Sequence, residues 1–443
     1  MSFDAIETLQ NGVSRRAFMK GALLSGAALT FTDKMALAQE MATGRITAKD
    51  IRGIGVEPGL VRMALNENPI GPSRYALQAI ADNMFDINRY GFNSSPLTQA
   101  LAEYDGIELP DSGGMPSMAA MMRSAAASAR GQGGTQAAGS RAQGGGGGGF
   151  RRRPTPFTLS AGSGQLLDVL ALAYLSQGGE SIEMDLGYGS ISRGAEEYRR
   201  MGISASGIKV PATGDYKHDL DAMRTAITPD TSLVVVTNPN NPTGTLMSYE
   251  DISAFVKSVP EDVVVVVDEA YIHFVRDPNY QKAIPLALKH ENVIVIRTFS
   301  KVYGMPAMRL GYAVSKPGGR IQQKLRFYMT GSPNLLAQVA GAAAVKDMDH
   351  VRRSQEVVWN FRDRCFAEFD KMGLEYIPSE SNFFMVNLGK NSMPVMRELF
   401  SRGVMVTNRT REAMPTWIRV SSGTERETEV FLNELKDIMA KTL

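Results

Sequence analysis

The sequence predicts an α/β protein with a mostly parallel central sheet covered by helices on both faces, followed by a smaller α+β domain. Three runs of valine, isoleucine and leucine, at residues 233–236, 263–267 and 293–296, are continuous rather than alternating. Parallel strands that are buried on both faces have this composition. Helical patterns such as residues 248–257 separate the runs, so we expect right-handed β-α-β crossovers and a doubly wound sheet.

A change of pattern marks the second domain. After about residue 331, one long helix rich in alanine, valine and charged residues is expected to run to about residue 372. Short strands at 383–386 and 417–420 follow it, and then a C-terminal helix. The predicted organisation is an N-terminal arm at 39–74, a large domain at 75–330 and a small domain at 331–443.

Length and composition limit the functional classes. The 443 residues, 43% of them hydrophobic, can bury the cores of two domains, and the net charge of +2 gives no general attraction to nucleic acid. Cys365 is the one cysteine, so no intrachain disulfide can form. The four histidines are scattered and no Cys/His metal spacing occurs. We therefore expect neither a metal site nor a nucleic-acid partner.

The N-terminus has the features of an export signal. Residues 15–20 read Arg-Arg-Ala-Phe-Met-Lys, an apolar stretch follows at 21–31, and Ala-Leu-Ala at 36–38 forms a cleavage site. The adjacent arginines resemble the twin-arginine (Tat) signal. We expect residues 1–38 to be a Tat signal peptide that directs the chain to the periplasm or outside the cell. The apolar stretch is short for a bilayer core of ~30 Å, but retention as an uncleaved anchor stays open.

A low-complexity segment interrupts the large domain. Residues 111–156 consist mainly of glycine, alanine, serine, methionine and arginine, with six glycines at 144–149 and three arginines at 151–153. Large apolar side chains are too few to offset the entropy of ordering, so we expect a disordered insertion within the domain. The arginines are either a solvated flank of this linker or a contact for a polyanion.

Polar motifs follow four of the predicted strands. The carboxyl ends of parallel strands share one edge of a sheet, and open α/β sheets bind their ligands there. The motifs are an amide-rich turn at 238–244, Asp-Glu-Ala-Tyr at 268–271, Thr-Phe-Ser-Lys at 298–301 and Ser-Ala-Gly-Ser-Gly-Gln at 160–165. The last opens an apolar helix at 166–175, whose N-terminus can bind phosphate through backbone N–H groups. Each motif alone is common in turns, so the predicted site depends on all four.

Three of these motifs, in this order and spacing, resemble the fold-type I pyridoxal 5′-phosphate (PLP) aminotransferases of class I/II. They are Asn-Pro-Thr-Gly at 241–244, Asp-Glu-Ala-Tyr at 268–271, and Ser-Lys at 300–301 followed eight residues later by Arg309. The resemblance is to the histidinol-phosphate aminotransferase subgroup and runs from residue 65 to 419, outside the insertion. It implies the PLP-dependent transferase fold of type I and a transaminase that uses amino acid and 2-oxo acid substrates.

The resemblance also assigns chemical roles. Lys301 is expected to carry PLP as a Schiff base and then to act as the general base at the substrate Cα. Asp268 is expected to pair with the pyridine nitrogen and keep it protonated. Asn241 and Tyr271 are expected to hydrogen-bond the 3′-oxygen of the ring. Of these, Lys301, Asp268 and Tyr271 are the predicted catalytic residues.

Binding residues are assigned in the same way. Tyr188 matches the aromatic residue that stacks on the ring, and Arg419 matches the arginine that binds the substrate carboxylate. Asn68 and Ile70 are expected beside the substrate. Tyr90 matches a tyrosine that reaches the phosphate of the neighbouring subunit, which implies a homodimer with shared active sites. The residues expected at the phosphate are Ser163, Gly164, Gln165, Thr298, Ser300 and Arg309.

The sequence departs from the subgroup near the substrate. Histidinol-phosphate aminotransferases usually have a tyrosine and an arginine where this chain has Ile70 and Thr407. Arg409 or Arg411 could compensate for the arginine. Gly-Gln at 164–165 also replaces a common Asp-Glu pair. Export fits poorly with cytoplasmic histidine biosynthesis, so we expect a different amino substrate, with an aromatic or apolar side chain given Ile70.

Two other functions stay open at this point. The same PLP pocket can serve a decarboxylase, a lyase or a racemase, because fold and cofactor do not determine the reaction. The chain could also be a non-catalytic secreted binding protein that uses its Arg/Gly-rich insertion to hold a surface. Retention of Lys301 argues against the second alternative, since a binding protein does not need this lysine.

Overall fold

The computed structural model describes residues 45–88, 94–110, 154–408 and 412–441. The predicted signal peptide and all but the last three residues of the predicted insertion lie outside this part of the chain. Tyr90, Arg409 and Arg411 also lie outside it. Among the described helices, none is both long and apolar enough to cross a membrane.

Strands and helices alternate through most of the described chain. The strands are β1 Val61–Arg62, β2 Phe157–Ser160, β3 Gly179–Met184, β4 Ala205–Val210, β5 Thr231–Thr237, β6 Val264–Asp268, β7 Val293–Thr298, β8 Gly311–Ser315, β9 Tyr376–Ile377, β10 Phe383–Asn387, β11 Val404–Met405 and β12 Trp417–Ser421. The α-helices are α1 Arg74–Asp82, α2 Ser95–Asp105, α3 Ser163–Leu175, α4 Ser190–Arg200, α5 Leu220–Thr225, α6 Tyr249–Ser258, α7 Ile284–Lys289, α8 Arg320–Tyr328, α9 Leu335–Lys346, α10 Met348–Met372, α11 Ser392–Ser401 and α12 Glu425–Lys441.

The large sheet has seven strands in the order β2-β8-β7-β6-β5-β3-β4. Strands β3 to β7 are parallel, and β8 runs antiparallel to both of its neighbours, β7 and β2. Therefore β2 points the same way as β5, β6 and β7. The carboxyl ends of these four strands share one edge, where the four polar motifs follow. The predicted mostly parallel α/β fold is confirmed.

Alternate side chains of the central strands enter two different cores. In β6, Val265 and Val267 belong to one buried cluster, whereas Val264 and Val266 belong to another. Both clusters are covered by helices, so neither face of the strand meets water. This arrangement explains why the strand sequence is continuously apolar.

The C-terminal part has its own sheet and core. Strands β12, β10 and β9 form an antiparallel sheet, and β1 pairs in parallel with β11. A buried cluster joins α10, α11 and α12 to the N-terminal arm, which contributes Ile46, Ile51 and Met63. The arm is thus part of the small core. The predicted domain boundaries themselves stay a prediction.

The single long helix predicted for residues 331–372 is wrong. The chain forms α9 and α10 instead, and Asp347 lies between them with φ −87° and ψ 71°. The Asp347 carboxylate accepts from the backbone N–H of His350 at 3.1 Å and so caps α10. Helix α9 packs in the core of the large sheet through Ala337, Ala340 and Ala344.

Candidate active site

A cavity of about 240 Å³ opens where β2, β5, β6 and β7 end. Most of the residues predicted at the site line this cavity. They are Ser163, Gly164, Tyr188, Asn241, Asp268, Tyr271, Thr298, Ser300, Lys301, Arg309 and Arg419. Residues from seven separate segments therefore converge on one space.

Three of the predicted residues do not line this cavity, and a fourth is not described by the structure. The Gln165 side chain accepts from the backbone N–H of Ala161 at 2.8 Å. The Asn68 amide is buried and donates to the Val302 carbonyl at 2.8 Å and to Ser354 Oγ at 2.9 Å. Ile70 lines a separate groove beside α10. Tyr90 is outside the described residues. The binding roles of these four stay predictions.

The cavity also has walls that sequence reasoning missed, namely Leu65, Asn66, Thr237 and Ala270. Thr237 and Ala270 lie at or just after the carboxyl ends of predicted strands. They could have been predicted, because open α/β sheets bind their ligands at these ends. Leu65 and Asn66 begin the stretch over which the family resemblance runs, but they belong to none of the three motifs that indicated it. Their side of the cavity depends on how the N-terminal arm packs against the small domain, which no local pattern reveals.

Lys301 reaches the cavity wall from the segment that follows β7. Its Nζ donates to the backbone carbonyl of Asn66 at 3.0 Å and lies 5.4 Å from the centre of the Tyr271 ring. Burial of the amine, and then the nearby charge of Arg419, lower the pKa of Lys301 to about 8. A substantial fraction of the amine is therefore neutral and nucleophilic near neutral pH.

Asp268 is the last residue of β6, lines the cavity and is 5% exposed. One carboxylate oxygen accepts from the backbone N–H of Ala270 at 3.1 Å. Burial raises the pKa of Asp268 to about 6, against the effect of this hydrogen bond. A buried carboxylate of this kind is suited to a cationic N–H partner in the cavity.

A hydrogen-bond chain links Arg419 to Tyr271 through Asn241. Arg419 Nη1 donates to Asn241 Oδ1 at 2.8 Å, and Asn241 Nδ2 donates to the Tyr271 hydroxyl at 3.3 Å. Arg419 Nη2 also donates to the Ala64 carbonyl at 2.9 Å. The Tyr271 ring meets Phe383 edge-on, with centroids 4.9 Å apart. Residues predicted at the substrate and at the cofactor ring thus share one network.

Another part of the cavity wall forms an anion cradle. It combines the N-terminus of α3 with the guanidinium of Arg309 and with hydroxyl groups of Thr298 and Ser300, of which Thr298 Oγ1 donates to Ser300 Oγ at 3.0 Å. Gly162 precedes α3 with φ +84°, and a methyl group there would overlap the Arg309 guanidinium. A helix N-terminus, an arginine and two hydroxyls are the usual partners of a phosphate.

Tyr188 forms a side wall and is held by its own loop. Arg193 Nη1 donates to the Tyr188 carbonyl at 2.8 Å. The buried carboxylate of Glu183 accepts from Ser192, near the start of α4, and pairs with Lys209 at 3.1 Å. Glu183 thus caps the helix that follows Tyr188, which fixes this side of the cavity.

The donor set fits PLP. The anion cradle can hold its phosphate, Asp268 can face the ring nitrogen, Asn241 and Tyr271 can face the 3′-oxygen, and Lys301 supplies the amine. All of these groups line the same cavity. Among the described residues, no cluster of histidine, cysteine, aspartate and glutamate could hold a metal ion.

Comparison with known proteins agrees with this arrangement. A family model described as aminotransferase class I and II matches residues 152–435. The histidinol-phosphate aminotransferase of Moorella thermoacetica is 34% identical over 391 residues, 88% of this chain and 88% of that protein. The enzyme of the same name from Brevibacillus brevis is 31% identical over 393 residues, 87% of this chain and 92% of that protein.

Solved structures share the fold. Histidinol-phosphate aminotransferase from Sinorhizobium meliloti, in complex with pyridoxal-5′-phosphate, superposes with a TM-score of 0.69 at 24% identity, over 86% of this chain and 91% of that chain. A double mutant of Thermus thermophilus aspartate aminotransferase superposes with a TM-score of 0.65 at 20% identity, over 86% of this chain and 91% of that chain.

Proposed function

This chain belongs to the class I and II aminotransferases, and we propose that its amino substrate is a compound other than histidinol phosphate, with an apolar or aromatic side chain. Its cofactor is PLP, and its reaction exchanges an amino group between an amino acid or related amine and a 2-oxo acid. The sequence-based prediction of a transaminase is confirmed. Family membership does not favour the decarboxylase, lyase, racemase or binding-protein alternatives.

One observation carries the assignment of the chemistry. Lys301, Asp268, Arg309 and Arg419 all line the same cavity, although they come from four different segments. Packing alone would not place three basic side chains around a space of this size, because their mutual repulsion costs stability. A bound dianionic phosphate and an anionic substrate compensate for that repulsion.

The residues then have definite tasks. When bound, PLP supplies an electron sink that allows the substrate Cα to lose its hydrogen as a proton. With a pKa of about 8, about a tenth of the Lys301 amine is neutral at pH 7 and can accept that proton. Asp268 holds a proton on the ring nitrogen. Arg419 binds the anionic group of the substrate and orients its Cα towards Lys301.

The surroundings of Arg419 support a substrate different from that of the named relatives. Thr407 lies directly across from Arg419, with backbone hydrogen bonds of 3.2 and 2.7 Å between them. A hydroxyl therefore stands where the subgroup usually has a second arginine. Leu65, 56% exposed, lines the mouth of the cavity and offers an apolar contact to a substrate side chain.

A substrate comparison tests this proposal. The PLP-loaded enzyme is assayed with 2-oxoglutarate and phenylalanine, leucine or histidinol phosphate as amino donor. We expect kcat/KM to be at least about 10-fold higher for one of the two amino acids, as about 1–2 kcal/mol of apolar contact allows. In Thr407→Arg, kcat/KM for histidinol phosphate should rise. A wild-type preference for histidinol phosphate would contradict the proposal.

We also infer a homodimer. Helix α1 and the residues after it expose Tyr75, Leu77, Met84, Phe85 and Ile87, each between 41% and 64%. A row of exposed large apolar side chains is typical of a surface that another chain covers. This row ends three residues before Tyr90, the residue predicted to reach the neighbouring active site.

Light scattering after size-exclusion chromatography measures the assembly. The wild-type protein should have twice the mass of one chain, and Phe85→Lys should shift the mass towards one chain. Phe400→Lys is the matched control, since Phe400 is 58% exposed on α11 and Phe85 is 59% exposed. A wild-type monomer, or equal behaviour of the two variants, would argue against this surface as the interface.

Finally, we propose that the Tat machinery exports the protein to the periplasm or beyond the cell. The Arg-Arg pair at 15–16 and the Ala-Leu-Ala site at 36–38 support this route. Tat carries folded proteins, so the enzyme can bind PLP before export. Replacement of both arginines by lysine should leave the protein in the cytoplasm in a fractionation experiment. Export that persists in this variant would exclude the Tat route.

A further inference from the structure

Asn66 has an unusual backbone conformation at the edge of the cavity. Its φ is +54°, a left-handed conformation that few residues other than glycine adopt, and the residue is only 2% exposed. Asparagine tolerates this conformation better than most side chains. The conformation turns the Asn66 carbonyl towards Lys301, whose Nζ donates to it at 3.0 Å.

The side chain of Asn66 is fixed by Ser421. Ser421 Oγ accepts from the Asn66 backbone N–H at 2.9 Å and donates to Asn66 Oδ1 at 2.8 Å. This pair of hydrogen bonds determines which end of the amide is the donor. Asn66 Nδ2 then donates to the Tyr271 hydroxyl at 3.0 Å. One buried residue therefore contacts both the predicted catalytic tyrosine and the catalytic lysine.

We propose that Asn66 is a positioning residue for transamination, which sets the hydrogen-bond strength of Tyr271 through its amide and holds the Lys301 amine through its carbonyl. Ser421 acts through Asn66. Because Ser421 is two residues after Arg419 on β12, the same contact ties the substrate-binding strand to the lysine. The proposal depends on the aminotransferase function but not on the identity of the substrate.

The direction of the effect follows from the hydrogen bond. An amide N–H that donates to the tyrosine oxygen makes the hydroxyl proton a better donor to the 3′-oxygen of PLP. That donation stabilises the negative 3′-oxygen and so favours loss of the proton from the nitrogen that joins Lys301 to PLP. Loss of the Asn66 amide should therefore raise the pH at which this nitrogen loses its proton.

Other groups act on the same two residues and must stay constant in the test. Asp268, Arg309, Arg419 and Glu67 provide the charges that face Lys301. Tyr271 also accepts from Asn241 Nδ2 at 3.3 Å, and its ring meets Phe383 and the Lys301 amine. The substitutions below leave all of these groups in place.

The experiment measures the pH midpoint of the visible absorbance change of the PLP-loaded protein. Asn66→Gly keeps the left-handed backbone and its carbonyl but removes the amide. We expect its midpoint to rise by at least half a pH unit and its Kd for PLP to rise at least fivefold. Ser421→Ala, which frees the amide without touching the cavity, should shift the midpoint in the same direction by a smaller amount.

A double variant separates positioning from general stabilisation. In a Tyr271→Phe background, Asn66→Gly should cause no further shift, because the hydroxyl through which it acts is gone. An unchanged midpoint in Asn66→Gly, or a shift that persists in the Tyr271→Phe background, would overturn the proposal. If Asn66→Gly does not fold, the midpoint of Ser421→Ala is compared alone and in the Tyr271→Phe background, with the same expected outcomes. The absorbance readout is independent of any amino donor, so a wrong substrate proposal would not affect it.

Discussion

The guanidinium of Arg419 donates to the side-chain oxygen of Asn241 at 2.8 Å. Arg419 lies on β12 of the small C-terminal sheet, whereas Asn241 lies in the turn after β5 of the large sheet. The residue proposed to bind the substrate is therefore connected to the turn that is predicted to contact the cofactor ring. Substrate binding and ring position are expected to be coupled through this pair.

Arg419→Lys should weaken substrate binding more than it slows the chemical step. Lysine keeps the positive charge but cannot form the bidentate hydrogen bonds that arginine makes with a carboxylate. A loss of about 3 kcal/mol corresponds to a roughly 100-fold rise in KM for the amino acid, with a smaller fall in kcat. Steady-state kinetics with varied amino donor measure both values.

Arg402→Lys is the matched control for this substitution. Arg402 is also paired with carboxylates, at 2.7 Å to Glu398 and 2.8 Å to Glu434, but it lies outside the cavity. Its KM should equal that of the wild type. A kcat that falls while KM stays constant in Arg419→Lys would show that Arg419 does not bind the substrate.

Gly162→Ala should weaken binding of PLP by crowding Arg309. The added methyl group would overlap the guanidinium, which then has to leave the anion cradle. Loss of one charge-assisted contact to the phosphate should raise the Kd for PLP about 10-fold or more. Titration of the cofactor-free protein with PLP measures this value.

The control for Gly162 is Gly202→Ala. Gly202 has φ +85°, nearly the same as the +84° of Gly162, but no described atom lies within 4 Å of an added methyl group. Both variants should lose stability from backbone strain, by about 1–3 kcal/mol for Gly162→Ala, because its φ +84° and ψ 157° lie in a region almost restricted to glycine. Only Gly162→Ala should bind PLP more weakly; equal binding by both variants would mean that Arg309 does not hold the phosphate.

Asp268 should make the cofactor-free protein less stable as pH rises. Its pKa in the folded protein, about 6, lies above the ordinary value of 3.8, so folding favours the protonated form. The stability from this group is present below pH 3.8 and is lost as pH rises through about 6, by roughly 3 kcal/mol in total. Asp268→Asn should abolish this loss.

Urea unfolding of the cofactor-free protein between pH 4 and 7 tests this expectation. The free energy of unfolding of Asp268→Asn should exceed that of the wild type increasingly as pH rises. The same variant should bind PLP more weakly, since the ring nitrogen loses its anionic partner. A constant difference between the two proteins across this range would contradict the assigned protonation of Asp268.

Arg297 lies behind the site and should be essential for stability. Its side chain is 0% exposed and pairs at 2.6 Å with both Asp105 and Glu269, each 1% exposed. Arg297→Met leaves two buried carboxylates without their cation and should cost about 3–5 kcal/mol. Arg352→Met removes an exposed pair with Asp349 and should cost less than about 1 kcal/mol. Urea unfolding at pH 7 measures both; a small loss in Arg297→Met would contradict this role.

The strands of the central sheet were predictable because burial of both faces of a strand determines the composition of that strand alone. Continuous apolar runs such as Val264–Val267 occur when both faces of a strand are buried, so they can be recognised in the sequence. The break between α9 and α10 was not predictable from apolar periodicity. It depends on one aspartate, Asp347, which can either continue a helix or cap the next one.

The site was predictable where strand ends position the residues. Asp268 and Lys301 follow β6 and β7 directly, so the topology of the sheet determines where they lie. Asn66 and Leu65 are placed by packing of the N-terminal arm against β12, a contact between residues about 355 positions apart in the case of Asn66 and Ser421. Such long-range contacts leave no periodic signal in the sequence.

We propose that Lys301 joins the cofactor to the chain, and reduction with borohydride tests this bond directly. The PLP-loaded protein is reduced, digested and analysed by mass spectrometry. We expect one peptide, containing Lys301, that carries the mass of reduced pyridoxyl phosphate, and no label in Lys301→Ala treated in the same way. A label on another lysine, or an unmodified Lys301 peptide from protein that has bound PLP, would show that Lys301 does not hold the cofactor.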